Sequence, residues 1–477
     1  MKFGIARAVG GPRRFRVVAH DVPLGRRLLR LGLTAVGFAL AALLVLAVFG
    51  DGGARRETPP VERPGASVEP VPSPVTRLTV PSGFATDRGW EVAQASPEIA
   101  LARTAGLVAY LERVSDDGFR LRTVAAASGK AGWRSEPFRP ADRAHYPGLL
   151  SLTRGGREYF VAWSYGKVAG DALTKAAQPI VSLDVYDAQD GTRQRAELPW
   201  PGVPTVTVAG PSVVVTDGRA RAALVDPVTG EVGQVPAAAL GFPKGCAQCR
   251  GSAEVLGQTP KGLLVGGGRE FWVSGAWSSR DRAPAGTDAR SGTATALTPR
   301  QVLARWHKAR GAKRAATHDV WAVHDGASGR VVATAECHKP AIAPGEHPEA
   351  VLSPDGRFLV AGNLAFDLAR AKGFCFENAD GSRPLTLTTV GDAGLAYGAR
   401  AARNAADALA GGGAPVAVDL TETGDRGLPE PVGLAPSVRL PGAVVPGAGL
   451  FRWTDPRGRE HLIAYAEKQA EEKAEEQ

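Results

Sequence analysis

Apolar positions along this chain are distributed in two distinct ways. Leu31 to Gly50 (LGLTAVGFALAALLVLAVFG) is a run of twenty residues with no charge and no polar face. As a helix rising about 1.5 Å per residue it spans roughly 30 Å, the hydrocarbon thickness of a bilayer, and this predicts one transmembrane helix. From about residue 81 the pattern changes to short apolar or β-prone runs, among them Val181-Ser-Leu-Asp-Val-Tyr186, Ala222-Ala-Leu-Val225 and Val416-Ala-Val418. Runs of this length between turn residues predict strands.

The turns recur with glycine in a fixed place: Ala125-Ala-Ala-Ser128-Gly129, Asp187-Ala-Gln-Asp190-Gly191, Asp226-Pro-Val-Thr229-Gly230, Asp325-Gly-Ala-Ser328-Gly329, Glu377-Asn-Ala-Asp380-Gly381 and the longer Asp419-Leu-Thr-Glu-Thr423-Gly424. An acidic side chain at the turn start can accept from backbone amides, and glycine supplies the positive φ where the chain reverses. Gly-to-Gly intervals are 62, 39, 99, 52 and 43 residues. The long one conceals a further unit around Phe271-Trp-Val-Ser-Gly275. Repeats of roughly 40–50 residues with several strands each predict an all-β propeller of seven blades, within a range of six to eight.

Val351-Leu-Ser-Pro-Asp-Gly-Arg-Phe-Leu-Val360 resembles the hairpin of TolB-like and WD-repeat propellers, and the Asp-x-x-Thr/Ser-Gly turns resemble those of quinoprotein-like propellers. The resemblance covers about residues 85–466 and implies architecture rather than activity. The chain lacks regular Gly-His and Trp-Asp pairs, and no tryptophan follows the turns as in quinone-binding repeats; no cofactor is expected.

Between the apolar run and the repeats lies a linker, 51–80, with Pro59, Pro60, Pro64, Pro70, Pro72 and Pro74 and too little apolar content for a core. The expected organisation is a basic cytoplasmic segment (1–30), the transmembrane helix (31–50), this linker, the propeller (81–466) and a charged tail (467–477). Two helices are expected within the β region. Thr298 to Gly311 has a capping Thr, Pro at the first helical position and a terminal Gly, while Ala399 to Ala410 is alanine-rich and precedes Gly411-Gly-Gly413.

The net charge of +9 suggests a polyanion binder until its position is considered. Residues 1–30 hold eight basic residues against Asp21, so +7 of the +9 precedes the apolar run. That bias orients the first residues to the cytoplasm and exports the rest, and it removes the need for a nucleic-acid-binding face. A cleaved leader is the alternative, although this run exceeds the roughly 7–15 residues of a signal peptide's apolar region.

Four cysteines, Cys246, Cys249, Cys337 and Cys375, all follow the apolar run. An even number outside the cytoplasm predicts disulfides, with Cys246–Cys249 and Cys337–Cys375 favoured because the second would link neighbouring blades. Thiol redox chemistry at Cys246-Ala-Gln-Cys249 lacks a strand-to-helix setting, being flanked by Pro243-Lys-Gly245 and Arg250-Gly251. His318, His324, His338 and His347 show no HExxH or comparable spacing, so no metal is expected. No Gly-x-Ser-x-Gly and no phosphate loop occurs, and Asp187, Asp226, Asp325 and Asp419 suit turns better than acid–base work. No catalytic residue is therefore assigned. Trp272, Trp277, Trp321 and Trp453 are expected to pack within or between blades.

These observations predict a single-pass, membrane-anchored extracytoplasmic propeller that binds or scaffolds without catalysis at the cell envelope. An exported lyase or hydrolase on the same fold is the competing class, and a thiol redox protein the third. The expected helix at 298–311 would present Arg300, Arg305, Lys308 and Arg310 to an anionic partner, such as an envelope protein, a cell-wall polymer or lipid headgroups.

Overall fold

A computed structural model describes residues 74 and 76–468, apart from 94, 142–145, 169–177, 341–346 and 423–426. The expected transmembrane helix Leu31 to Gly50, the basic segment before it, most of the linker and nearly all of the charged tail lie outside the described residues. Among the described residues no helix is long and apolar enough to cross a membrane.

The described chain is all-β. Its strands are short, and each sets of four pairs in antiparallel order, giving eight consecutive meanders: 99–134, 148–199, 205–235, 254–278, 293–338, 351–375, 385–433 and 443–467. The eighth contributes three strands of its own and takes Phe84–Ala93 as its fourth, with Trp90 opposite Ala464 and Val92 opposite Leu462. The first strand of the described chain is thus zipped to the last, Glu460–Glu467. Meanders five and six also touch edge to edge through one parallel bridge, Thr334–Lys372.

Eight apolar clusters hold these sheets together, each shared by two successive meanders. Val161 and Leu183 of the second pack on Val213 and Val215 of the third, and Phe271 of the fourth on Val302 and Trp306 of the fifth. Phe84, Phe451 and Ile463 of the eighth meet Tyr397 and Ala399 of the seventh, while Trp90 and Leu462 of the eighth meet Val108 and Tyr110 of the first. The succession closes on itself and is compatible with a β-propeller.

The turns explain why eight meanders form where seven were counted. The hairpin carboxylates work as expected: Asp187, Asp226, Asp325 and Asp419 each accept backbone N–H bonds within their own turn. Glu377 to Gly381, however, connects meanders six and seven. The sixth hairpin lies at Asp367, and Ala371, at φ 56°, occupies the left-handed position that glycine fills elsewhere. The eighth meander has no such turn because its fourth strand comes from Phe84–Ala93.

Glycine in these turns serves packing as well as φ. Gly329 sits at φ 71° beneath Trp277 of the preceding meander, whose Nε1 donates to the Gly326 carbonyl at 3.2 Å, and a Cβ on Gly329 would lie 2.5 Å from the indole. Trp90 covers Gly129 in the same manner and donates to the Ala126 carbonyl at 2.8 Å. Replacing Gly329 with Ala combines backbone strain with a clash against a buried ring. The expected loss is about 3 kcal/mol, read as a lowered thermal midpoint; an unchanged midpoint would contradict the docking role of this turn.

Both expected helices require correction. Thr298 to Gly311 contains strand Gln301–His307, and Thr298 Oγ1 accepts from the Gln301 amide to close a hairpin turn, not to cap a helix. Val302, Leu303 and Trp306 mimic a helical face because the strand is buried on both sides: Val302 and Trp306 face meander four, and Leu303 faces meander six. Ala399 to Ala410 narrows to a one-turn helix, Ala405–Leu409, capped by Asn404. A one-turn helix that sequence flanks did not suggest, Ala247–Gly251, follows Cys246. Trp272, Trp277 and Trp321 are buried as expected.

Candidate functional site

The hairpin that turns at Asp325 to Gly329 joins strand His318–Asp325 to strand Val331–His338, and its register places His318 opposite His338. Strand Gln301–His307 runs antiparallel to the first of these with His307 opposite Asp319, which brings His307 and Lys308 to the same end of the sheet. The last strand of meander six, Lys372–Cys375, lies parallel to Val331–His338 and therefore delivers Glu377 to that end too. Disulfide Cys337–Cys375 fastens the two strands directly beside His338 and Glu377.

The resulting cluster is densely bonded. Both Glu377 oxygens accept from the His338 backbone N–H at 3.0 Å, and Oε1 also accepts from His338 Nδ1 at 2.7 Å. The His318 and His338 rings are in contact, tilted by 40° with centroids 4.0 Å apart. Thr317 Oγ1 lies 2.8 Å from His318 Nδ1, and Arg314 Nη1 lies 3.3 Å from His318 Nε2. Burial, then the neighbouring His338 and Arg314 charges, pushes His318 below the ordinary histidine range.

Ion pairs surround this centre. Glu336 accepts from Lys308 Nζ and from Arg314 Nη2, both at 2.7 Å. Burial opposes its ionisation, but the hydrogen bond and charge of Lys308 and the charge of Arg314 outweigh this and hold the carboxyl below its usual range. Asp319 is buried and bonds His307 Nδ1 at 2.8 Å, with Arg305 Nε 3.9 Å away. Arg383 Nη2 donates to the His338 carbonyl at 3.1 Å. Burial, followed by the charges of Arg305 and Arg383, lowers the pKa of nearby His347.

The four basic residues singled out in the sequence are not one surface. Arg300 is exposed in the turn before strand Gln301–His307, and Arg310 is exposed past the far end of that strand, about 23 Å along at roughly 3.3 Å per residue. Arg305 and Lys308 are the residues paired with Asp319 and Glu336. Lys308 and Arg310, with Asp288, Ala309, Gly311 and Ala315, line an open depression of about 620 Å³ beside the histidine cluster.

Both expected disulfides are present, Cys246–Cys249 and Cys337–Cys375. Cys246 and Cys249 lie near the buried Glu270, which is ion-paired with Arg280. Their sulfurs are bonded to each other and offer no thiolate for a metal. Sequence reasoning missed the meeting of His318, His338 and Glu377. The hairpin turn placed the two histidines on adjacent strands, but their exact pairing depends on a β-bulge between Val323 and His324 that no local pattern marks.

No family model matches the chain, and no curated protein matches it. Similar solved structures include the computationally designed Ika8 protein (12% identity, 78% of this chain and 96% of that chain, TM-score 0.38). They also include acylaminoacyl peptidase from Pyrococcus horikoshii (10%, 78% and 50%, TM-score 0.35) and BamB from Moraxella catarrhalis (11%, 78% and 83%, TM-score 0.28). At these TM-scores the likenesses carry no argument about activity.

Proposed function

We propose that this chain is an eight-bladed, membrane-tethered propeller that serves as a non-catalytic binding or scaffolding module at the cell envelope. The tether is the uncharged run Leu31 to Gly50, oriented by the +7 charge before it. Its partner docks at the end of meanders five and six where Lys308, Arg310 and the histidine cluster meet. The observation that supports this reading is the rigidity of that end: its side chains are held by mutual ion pairs and a disulfide, a pre-arranged surface on a closed scaffold. An anionic cell-wall polymer is the partner the exposed Arg310 suits.

Charge reversal distinguishes the two ends of strand Gln301–His307. The full chain should co-sediment with isolated anionic cell-wall polymer at low salt and release it as salt rises. Arg310→Glu should weaken this several-fold, and Arg300→Glu, at the opposite end, should not. Equal retention of both variants and the unaltered chain would overturn the docking site.

A further inference from the structure

We propose that His318 and His338 bind a divalent transition-metal ion of the zinc type through their Nε2 atoms, a role beyond the docking surface above. The tautomers follow from their partners. A guanidinium only donates, so Arg314 Nη1 requires His318 Nε2 to carry the lone pair, which leaves Nδ1–H to donate to Thr317 Oγ1. A carboxylate only accepts, so Glu377 takes the proton of His338 Nδ1, which leaves Nε2 as the nitrogen that can offer a lone pair.

Each imidazole therefore has Nδ1 committed to an orienting partner and its lone pair on Nε2, which Arg314 holds in His318. Metal-binding histidines are held in this way, by an acceptor on the second ring nitrogen that fixes tautomer and orientation. The pair sits on two adjacent strands in fixed register, and the Cys337–Cys375 bond locks Glu377 to His338 across the boundary between meanders. One ring nitrogen of His318 lies within 4.8 Å of one of His338, with Glu377 spent on His338 as the orienting acceptor. Tetrahedral zinc with bonds of about 2.0–2.1 Å places its donors roughly 3.3 Å apart, a closure within reach of side-chain rotation.

Arg314 is the competing cation. It occupies the lone pair of His318, yet its side chain is 51% exposed and is separately anchored to Glu336, so it can turn aside without losing its ion pair. All four cysteines are in disulfides, which leaves nitrogen and oxygen donors to select the ion; imidazole pairs favour zinc, copper or nickel over magnesium.

The test is calorimetric titration of the full chain, freed of any affinity tag, with Zn²⁺ in chelator-free buffer. One ion should bind per chain, unaffected by excess Mg²⁺. His318→Ala and His338→Ala should each weaken binding at least tenfold, and Glu377→Ala by roughly 10- to 100-fold through loss of the orienting acceptor. Arg314→Ala, a change at a half-exposed side chain, should tighten it. Absence of stoichiometric uptake, or uptake undiminished in the two histidine variants, overturns the site. Should those variants fail to fold, the Arg314 variant decides: unchanged or weaker affinity overturns the proposal, and tighter affinity supports it.

Discussion

Removing the Cys337–Cys375 bond by alanine substitution at both positions lowers the stability of the chain by about 4 kcal/mol, whereas the same change at Cys246 and Cys249 costs about 1.5 kcal/mol. The difference comes from the unfolded state. The first bond closes a loop between residues 38 apart in sequence and the second between residues 3 apart, and the entropy a cross-link removes from the unfolded chain grows with the logarithm of that separation. Native packing acts in the same direction. Cys337 is fully buried among Leu303, Trp321 and Phe366, at the contact between meanders five and six, and Cys375 belongs to the same cluster. Denaturant midpoints of the two double variants provide the measurement. Equal shifts, or a larger shift at Cys246 and Cys249, would show that neither loop length nor this contact governs the cross-link.

The same bond shows how far a sequence of this kind can be read. Pairing Cys337 with Cys375 follows from the two lying in successive repeats, and the repeats follow from a local device: an acidic residue that accepts turn amides and a glycine that takes positive φ. Where the device is intact, as at Asp187 to Gly191 or Asp325 to Gly329, the strands on either side were legible. It fails at Asp367, where Ala371 adopts the left-handed conformation with no compositional signal. It fails again at the eighth meander, because pairing of Phe84–Ala93 with Glu460–Glu467 joins residues from opposite ends of the region and no local pattern encodes it.

The candidate site was less legible for a related reason. Strand Gln301–His307 packs on both faces, so its apolar positions lose the alternation that marks a half-buried strand and imitate a helix instead. Once it is read as a helix, Arg305 and Lys308 look like solvent-facing cations. As a strand it brings His307 to Asp319, and the following Lys308 to Glu336, so the charges that seemed free are already paired. His318 and His338 could be placed on the paired strands of one hairpin, though not in exact register, because a β-bulge between Val323 and His324 shifts it. Glu377 could not, since its place depends on the parallel bridge between separate meanders.

His324 makes the strongest pH dependence this fold should show. The ring is completely buried, stacks on Trp277 at a centroid distance of 5.9 Å, lies 4.8 Å from Trp306, and donates from Nδ1 to the Gly329 carbonyl at 2.8 Å. Its Nε2 is buried without a hydrogen-bond partner among the described residues, so a proton there would meet no protein acceptor among them. Burial accordingly pushes the pKa down to about 4, outweighing the Gly329 hydrogen bond that favours the charged form. The unfolded chain, with an ordinary histidine pKa near 6.5, binds a proton that the folded chain refuses between these values. Stability is therefore intact above about pH 6.5 and falls as the pH drops, by up to about 3 kcal/mol once pH 4 is reached. Carboxylates titrate over part of the same range, so the comparison needed is with His324→Phe, which keeps an aromatic ring in the cavity and cannot take up the proton. At pH 7 the substitution should cost stability through the lost bond to Gly329, and the gap should close or reverse toward pH 4. Thermal midpoints of the two chains that run parallel from pH 7 to pH 4 would rule out a buried neutral histidine as the source of acid sensitivity.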